Sequence, residues 1–131
     1  AVTVEEMSGL VSTDDKWMRF ILDQLIGNAV KYRRENPSLR FSCVSGQGEI
    51  SLLVEDNGIG IPAADLPRVF EKGFTGANGR AVHSSTGLGL YLCKRLCDKL
   101  GIGLTLDSRE GQGTTARLIF TVNDYITGVQ G

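Results

Sequence analysis

The sequence predicts an α+β fold, a two-layer sandwich in which helices pack on a sheet built from antiparallel hairpins. Two segments with helical periodicity, at about 15–34 and 86–100, are each followed by a pair of strand-like segments. A short turn containing glycine joins the strands of each pair, which is typical of antiparallel pairing. A doubly wound parallel sheet would instead need single strands that alternate with helices.

Length and composition indicate one globular domain. We treat residues 1–131 as a single domain with 41% hydrophobic and 22% charged residues. The net charge of -1 gives no reason to expect nucleic acid or an anionic membrane as a partner. No apolar segment approaches the roughly 20 residues of a membrane span, and no signal peptide opens the chain. Because the chain starts at Ala1, we expect a fragment of a longer protein, which would carry any membrane segment.

The three cysteines favour a reducing compartment. Cys93 and Cys97 lie four residues apart on a predicted helix, so they share a face that offers too few ligands for a metal. Cys43 lies far from both in the chain, and no Cys-x-x-Cys is present. Buried free thiols and a cytosolic location are therefore expected.

The first long helix is predicted over residues 15–34 and should stop at Asn36-Pro37. Its N-cap candidates are Thr13, Asp14 and Asp15. Its predicted core face consists of Met18, Leu22, Leu25, Ile26, Ala29 and Val30. A separate stripe begins apolar and becomes polar, and it consists of Trp17, Ile21, Gln24, Asn28 and Lys31. The two amides of this stripe are either part of a half-buried helix surface or one side of a ligand site.

The remaining elements follow from alternation and turn residues. Strand-like segments are predicted at 2–4, 10–13, 39–45, 49–55, 102–108 and 114–122. Residues 63–72 form a short helical segment that Pro67 interrupts. Residues 73–86 lack periodicity and are long enough for a binding loop or lid. The second helix has a buried face and a terminating Gly101, and the face consists of Leu90, Cys93, Leu96, Cys97 and Leu100.

The stretch DNGIGIP at 56–62 directly follows a predicted strand. By itself this stretch is consistent with either a tight turn or a ligand site. Asp56 would supply a fixed acceptor for an exocyclic amine such as adenine N6. Gly58 and Gly60 would keep side chains away from a base.

Other features are suited to the phosphates of a nucleotide. Gly87-Leu88-Gly89 opens a helix, whose free N–H groups and dipole favour anions. Asn28 offers a neutral oxygen to Mg²⁺, while Lys31 and Lys72 can offset phosphate charge. Tyr32 can stack on a base. The absence of a P-loop and of a Gly-x-Gly-x-x-Gly strand–helix unit excludes two common nucleotide-binding designs.

These segments resemble, in order, the N, G1, F and G2 boxes and the last glycine box of bacterial sensor histidine kinases. The matching residues are NAVKY at 28–32, DNGIGIP at 56–62, FEKGF at 70–74, TGLGL at 86–90 and GQGT at 111–114. The resemblance covers most of the chain. It implies the Bergerat fold, shared with gyrase, Hsp90 and MutL ATPases: a mixed sheet of about five strands under three helices.

The resemblance also implies residue roles. Asn28 would bind Mg²⁺ and act with Lys31 in catalysis, Asp56 would bind adenine N6, and Thr114 would support the adenine end through water. The full set implied to bind ATP is Asn28, Lys31, Tyr32, Asp56, Gly58, Gly60, Ile61, Lys72, Gly73, Phe74, Thr86, Gly87, Leu88, Gly89, Leu90 and Thr114. A narrower similarity, to kinases serving antimicrobial-peptide-responsive transporters of Gram-positive bacteria, rests on residues 15–17, 74–80 and 90–96.

The implied function is transfer of the γ-phosphoryl group of ATP to a histidine on a separate dimerisation domain, with a response regulator downstream. The parent protein would lie in the bacterial plasma membrane and this domain in the cytoplasm.

His83 lacks the helical, acid-flanked context of a phosphoacceptor, so the acceptor is expected outside the chain. Related ATPases place a glutamate base where this chain has Gln24, and an amide cannot take a proton from water. The alternatives are an anti-sigma-factor-like serine kinase and a nucleotide-binding scaffold without catalysis.

Overall fold

A computed structural model describes residues 2–4, 15–74 and 88–121. The helices are α1 (Asp15–Lys31) and α2 (Gly89–Leu100), with a 3₁₀ turn at Leu66–Arg68 between them. The strands are β1 (Val2–Val4), β2 (Leu39–Gly46), β3 (Glu49–Asp56), β4 (Gly103–Arg109) and β5 (Gly113–Thr121). Among the described residues, neither helix is long and apolar enough to cross a bilayer.

The described strands lie side by side in the order β1-β2-β3-β5-β4. The short β1 runs parallel to β2, and every other pair is antiparallel. β3 lies between β2 and β5, so its last residue, Asp56, is opposite Leu39 on one side and Thr114 on the other. This position places the turn after β3 next to the turn that joins β4 and β5.

Both helices bury their apolar sides against the same face of the sheet. Ile21 of α1, Cys93 and Cys97 of α2 and Leu118 of β5 are completely buried. They belong to one continuous core that also includes Leu25, Leu52, Val54, Ile102, Leu104, Ala116 and Phe120. Full burial of a leucine or isoleucine side chain stabilises a fold by about 1.5–3 kcal/mol, so this core holds the two layers together.

The α+β prediction is confirmed in its main part, an antiparallel four-strand sheet with two long helices. The helical segment predicted at 63–72 is reduced to the 3₁₀ turn at Leu66–Arg68. The reason is local: Pro67 donates no hydrogen bond, and the Arg68 and Val69 N–H groups reach carbonyls only three residues back. The predicted strand at 10–13 and the N-cap candidates Thr13 and Asp14 lie outside the described residues.

The first helix is shorter than predicted and is rotated relative to the predicted core face. It ends at Lys31 rather than Arg34, because the carbonyl of Tyr32 accepts a hydrogen bond from Ile59 N–H (3.0 Å). Ile21 is buried in the core, whereas Val30 is 50% exposed. Val30 is five positions after the buried Leu25, which corresponds to about 140° around a helix, so the two cannot share a face.

The second helix matches its prediction. Its two cysteines are buried free thiols, and burial raises the pKa of Cys93 to about 12 and that of Cys97 to about 11. Both thiols therefore stay protonated at neutral pH. Gly101 ends the helix in the left-handed region (φ 73°), and the Ile102 N–H donates to the Cys97 carbonyl at 2.9 Å.

Two glycine-containing turns meet at one end of the sheet. The Gly111 N–H donates to the Ile59 carbonyl at 2.8 Å, which joins the β4–β5 turn to the turn after β3. A Cβ on Gly60 would overlap the main chain of Arg109. A Cβ on Gly113 would overlap the Asp56 carbonyl. The two backbones therefore approach more closely than any side chain would allow.

This close approach predicts a large difference between two alanine substitutions. Gly60 and Gly101 have nearly equal φ angles, 74° and 73°, but a Cβ at Gly101 would meet nothing within 4 Å. We expect Gly101→Ala to cost about 1–2 kcal/mol, from left-handed strain alone. Gly60→Ala should cost more than about 4 kcal/mol or prevent cooperative folding, because two backbone turns must separate. Urea denaturation measures both, and equal losses would contradict the packing of the two turns.

Candidate functional site

The carboxylate of Asp56 is held in place by main-chain donors. The Gly58 N–H donates to its Oδ1 at 2.8 Å, and the Thr114 N–H on β5 is a second donor. Burial raises the pKa of this carboxyl group above its ordinary value of 3.8, more than the two hydrogen bonds lower it. The site therefore contains a half-buried acceptor whose position is set by two different strands.

The glycines around Asp56 also permit close approach of the protein's own backbone. We expected Gly58 and Gly60 to keep side chains away from a base, and the structure adds that a Cβ on either would meet backbone atoms. A Cβ on Gly58 would lie 2.6 Å from the Tyr32 carbonyl oxygen and 3.0 Å from Asp56 Oδ1. These glycines bring the Asp56 turn against the end of α1 and against the β4–β5 turn.

Ser108 connects two predicted site residues, although it was not itself predicted from the sequence. Its Oγ accepts a hydrogen bond from Ile61 N–H (2.8 Å) and lies 2.7 Å from Thr114 Oγ1. It also donates to the Gly113 carbonyl at 2.9 Å. Ser108 is opposite Thr114 in the β4–β5 register, a pairing that becomes visible only once that register is known.

Asn57 and Arg34 fix the same region from the other side. Asn57 Oδ1 accepts from Ser38 N–H (2.7 Å), and its Nδ2 donates to the Asn36 carbonyl (3.0 Å). Arg34 Nη1 donates to the Gly111 carbonyl at 2.6 Å. The loop between α1 and β2 is thereby tied to both glycine-containing turns.

The polar end of α1 extends past the start of α2. Two contacts define the helix crossing: Cys93 Sγ lies 3.9 Å from the Ile21 carbonyl, and the Gln24 carboxamide lies against Gly89. The two helices therefore cross in an antiparallel sense, because the later residue of α1 contacts the earlier residue of α2. Asn28 is one turn, or about 6 Å, beyond Gln24 and so lies past the first turn of α2.

The start of α2 carries the partial positive charge of a helix N-terminus, which favours binding of an anion. Its N-cap residue is Leu88, and its first turn contains no acidic residue. The positive end of the helix dipole is thus not neutralised from within the helix. Leu88 is 39% exposed, whereas Leu90 packs against the core. Thr86, Gly87 and His83, together with most of the predicted lid, lie outside the described residues.

Of the predicted residues 72–74, Lys72 lies beside α2 and Phe74 contacts Arg68. Lys72 Nζ is 5.9 Å from the ring centroid of Tyr91, and the Arg68 guanidinium lies 4.4 Å from the ring centroid of Phe74. Gly73 adopts a φ of 78° with open space around it. The described contact of Lys72 is therefore with α2 and not with Asn28 or with the Asp56 turn.

The chemistry of these groups fits a Mg²⁺-nucleotide. The described residues contain no group of three or more His, Cys, Asp and Glu side chains that could form a metal cage. Mg²⁺ does not need one, because it binds through one or two protein oxygens and completes its shell with phosphates and water. The half-buried Asn28 could supply such an oxygen, and Lys31 is also half-buried at the end of the same helix.

A profile of the family described as "Histidine kinase-, DNA gyrase B-, and HSP90-like ATPase" matches residues 13–124. The chain belongs to this ATPase family. The match extends from α1 through β5 and contains every described candidate site residue. Together with the similarity to sensor kinases of known sequence and structure, this match confirms the resemblance to histidine kinases.

Sensor kinases are among the similar proteins of known sequence. The sensor protein kinase GraS of Staphylococcus aureus strain JH1 is 43% identical over 116 residues, which are 88% of this chain and 33% of that protein. GraS of strain USA300 gives the same identity and coverage. The chain thus spans about a third of the length of the curated relatives that it matches.

Solved structures of histidine kinases share the fold. The mycobacterial sensor histidine kinase MprB has a TM-score of 0.77 at 26% identity, over 92% of this chain and 80% of that chain. Full-length ShkA in complex with AMPPNP has a TM-score of 0.74 at 26% identity, over 93% of this chain and 25% of that chain. The nucleotide-free catalytic domain of ThkA has a TM-score of 0.73 at 21% identity, over 92% of this chain and 76% of that chain, and supports the fold alone.

The raised pKa of Asp56 predicts how stability depends on pH. The folded state binds this proton more tightly than the unfolded chain, so the contribution to stability is complete below about pH 3.8 and is lost as pH rises through the folded pKa. Asparagine does not titrate, so we expect the stability of Asp56→Asn relative to wild type to increase as the pH rises from about 3.8 through the folded-state pKa of Asp56. Asp107→Asn, at an exposed position of β4, is the control. A wild-type–variant difference that stays constant with pH would contradict this account of burial.

Proposed function

We propose that this domain binds Mg²⁺-ATP and, within its parent protein, donates the γ-phosphoryl group to a histidine on a separate dimerisation domain. This reaction would make the parent an ATP-dependent protein-histidine kinase and the first component of a two-component signalling system. The observation that carries the proposal is the half-buried Asp56 carboxylate, fixed by main-chain donors at the end of β3. Membership of the ATPase family supports it.

At the adenine end, the proposed acceptor for adenine N6–H is the Asp56 carboxylate. Its hydrogen bonds to Gly58 and Thr114 restrain rotation of the side chain, so the acceptor is in place before a ligand arrives. Thr114 and Ile61 are in turn held by Ser108. Tyr32, whose carbonyl binds the same turn, would lie beside the base.

At the phosphate end, Asn28 would hold Mg²⁺, and the start of α2 at Leu88 and Gly89 would face the phosphates. The metal would neutralise phosphate charge as it develops during transfer. Lys31 and Lys72 would add positive charge from α1 and from the segment before the lid. Thr86 and Gly87 would complete the phosphate side, and Gly73, Phe74 and Leu90 would form the adjoining walls. Catalysis would consist mainly of positioning and charge neutralisation.

Gln24 favours transfer to a protein over hydrolysis. It lies one turn before Asn28, at the position where related ATPases place the glutamate that activates water. A carboxamide has no basic lone pair at neutral pH and cannot act as a general base. We therefore infer that the bound nucleotide is hydrolysed slowly and that the γ-phosphoryl group is kept for a protein acceptor.

We also infer the complete number of strands and helices in the fold. It is a Bergerat fold with a mixed sheet of about five strands and three helices on one face. The three-residue β1 beside β2 and the 3₁₀ turn at Leu66–Arg68 are the elements that support the fifth strand and the third helix. The partners proposed are the histidine-bearing domain of the parent and a response regulator. The parent would be a plasma-membrane protein of the antimicrobial-peptide-responsive kind, with this domain in the cytoplasm.

Phosphotransfer between separate domains tests the function directly. The chain is mixed with the helical domain of its parent, Mg²⁺ and γ-labelled ATP, and the label on each protein is followed over time. We expect label only on the helical domain, in the acid-labile form typical of phosphohistidine. Asn28→Ala should abolish transfer, because it removes the metal ligand, whereas His83→Gln should leave it unchanged.

The other possible results of the labelling and binding experiments would each indicate a different function. Label on this chain at His83 would contradict transfer to a separate domain. Acid-stable label on the partner would indicate a serine kinase. Calorimetric titration that detects no binding of AMPPNP and Mg²⁺ would indicate a scaffold domain.

A further inference from the structure

Gln24 and Gly89 make a close contact where the two long helices cross. Gln24 Oε1 lies 2.6 Å from the position that a Cβ on Gly89 would occupy, and Gln24 Cδ lies 3.7 Å from it. Gly89 is the first residue of α2 and does not have a left-handed φ. Its backbone would therefore accept any residue, and the space taken by the Gln24 carboxamide is what favours glycine here.

This contact sets how far α1 extends past α2. The buried contact between the Ile21 carbonyl and Cys93 Sγ lies on one side of it, within the core. Asn28 lies on the other side, about 6 Å further along α1. Gln24 thus contacts the start of α2 beside the gap in which the phosphates are proposed to bind.

We propose that Gln24 is a positioning residue that sets the start of α2 against Asn28, and that Gly89 lacks a side chain to admit its carboxamide. This proposal rests on the proposed binding of Mg²⁺-ATP between these two helices. A shorter side chain would not reach the start of α2, so this contact between the helices would be lost.

The first test is Gly89→Ala. The atom that overlaps the new Cβ is the tip of a flexible side chain, so the fold can accommodate alanine by turning the carboxamide away. The carboxamide then moves out of its place beneath the α2 turn and towards the phosphate gap. We expect the dissociation constant for AMPPNP with Mg²⁺ to rise about tenfold, while the melting temperature without nucleotide changes little.

The second test is a double-mutant cycle. Gln24→Ala alone should weaken AMPPNP binding about threefold, because α2 loses a support but nothing obstructs the phosphates. Gln24→Ala combined with Gly89→Ala should bind as Gln24→Ala does, because the overlapping group is gone. Gly27→Ala is the matched control: it is also a helical glycine of this region, it has no atom within 4 Å of its Cβ position, and it should bind as wild type does.

The outcomes separate this inference from the proposed function. If the wild-type chain does not bind AMPPNP, the proposed function fails. If the wild type binds and the losses in the double variant multiply, the positioning role of Gln24 fails while the function stands. If the variants lose melting temperature in parallel with AMPPNP affinity, the positioning role of Gln24 also fails, because the contact would then be purely structural. Recovery of binding in the double variant supports it.

Discussion

The close backbone contact between the turn after β3 and the β4–β5 turn is the constraint on which the rest of the structure depends. Gly60 and Gly113 permit it, and the hydrogen bond from Gly111 N–H to the Ile59 carbonyl closes it. The same turn after β3 binds the Tyr32 carbonyl and so ends α1. Strand pairing, the end of a helix and the position of Asp56 are therefore coupled through a few main-chain groups.

The two ends of the candidate site are built by different kinds of interaction. A network of hydrogen bonds fixes the Asp56 end, with main-chain donors on the carboxylate and short side chains such as Ser108 and Asn57 around it. The other end depends on helix packing, because the contact of Gln24 with Gly89 sets how far Asn28 projects past α2. A rigid end that recognises the base and an end set by side-chain packing would suit a domain that must bind ATP and then present its last phosphate to another protein.

Periodicity and turn residues were sufficient to predict the two helices and the two hairpins, because each signal lies within a few neighbouring residues. The resemblance of five short segments to histidine kinase boxes then predicted the family. What could not be predicted depends on contacts between distant residues. The end of α1 depends on Ile59, the role of Ser108 depends on its register with Thr114, and the exposure of Val30 depends on which side of α1 faces the sheet. The backbone packed against Gly58 and Gly60 likewise comes from distant residues, Tyr32 and Arg109.

Binding of AMPPNP to Asp56→Asn tests the central claim most directly. In the wild type, both main-chain donors converge on a carboxylate that can only accept hydrogen bonds while ionised. Asparagine at this position can turn its NH₂ group towards the adenine amine and oppose it. Calorimetric titration with Mg²⁺ should show a loss of affinity of at least about a hundredfold for the variant, which corresponds to about 2.8 kcal/mol, while the circular dichroism spectrum is unchanged. Wild-type affinity in a folded Asp56→Asn variant would show that the nucleotide does not bind at this carboxylate.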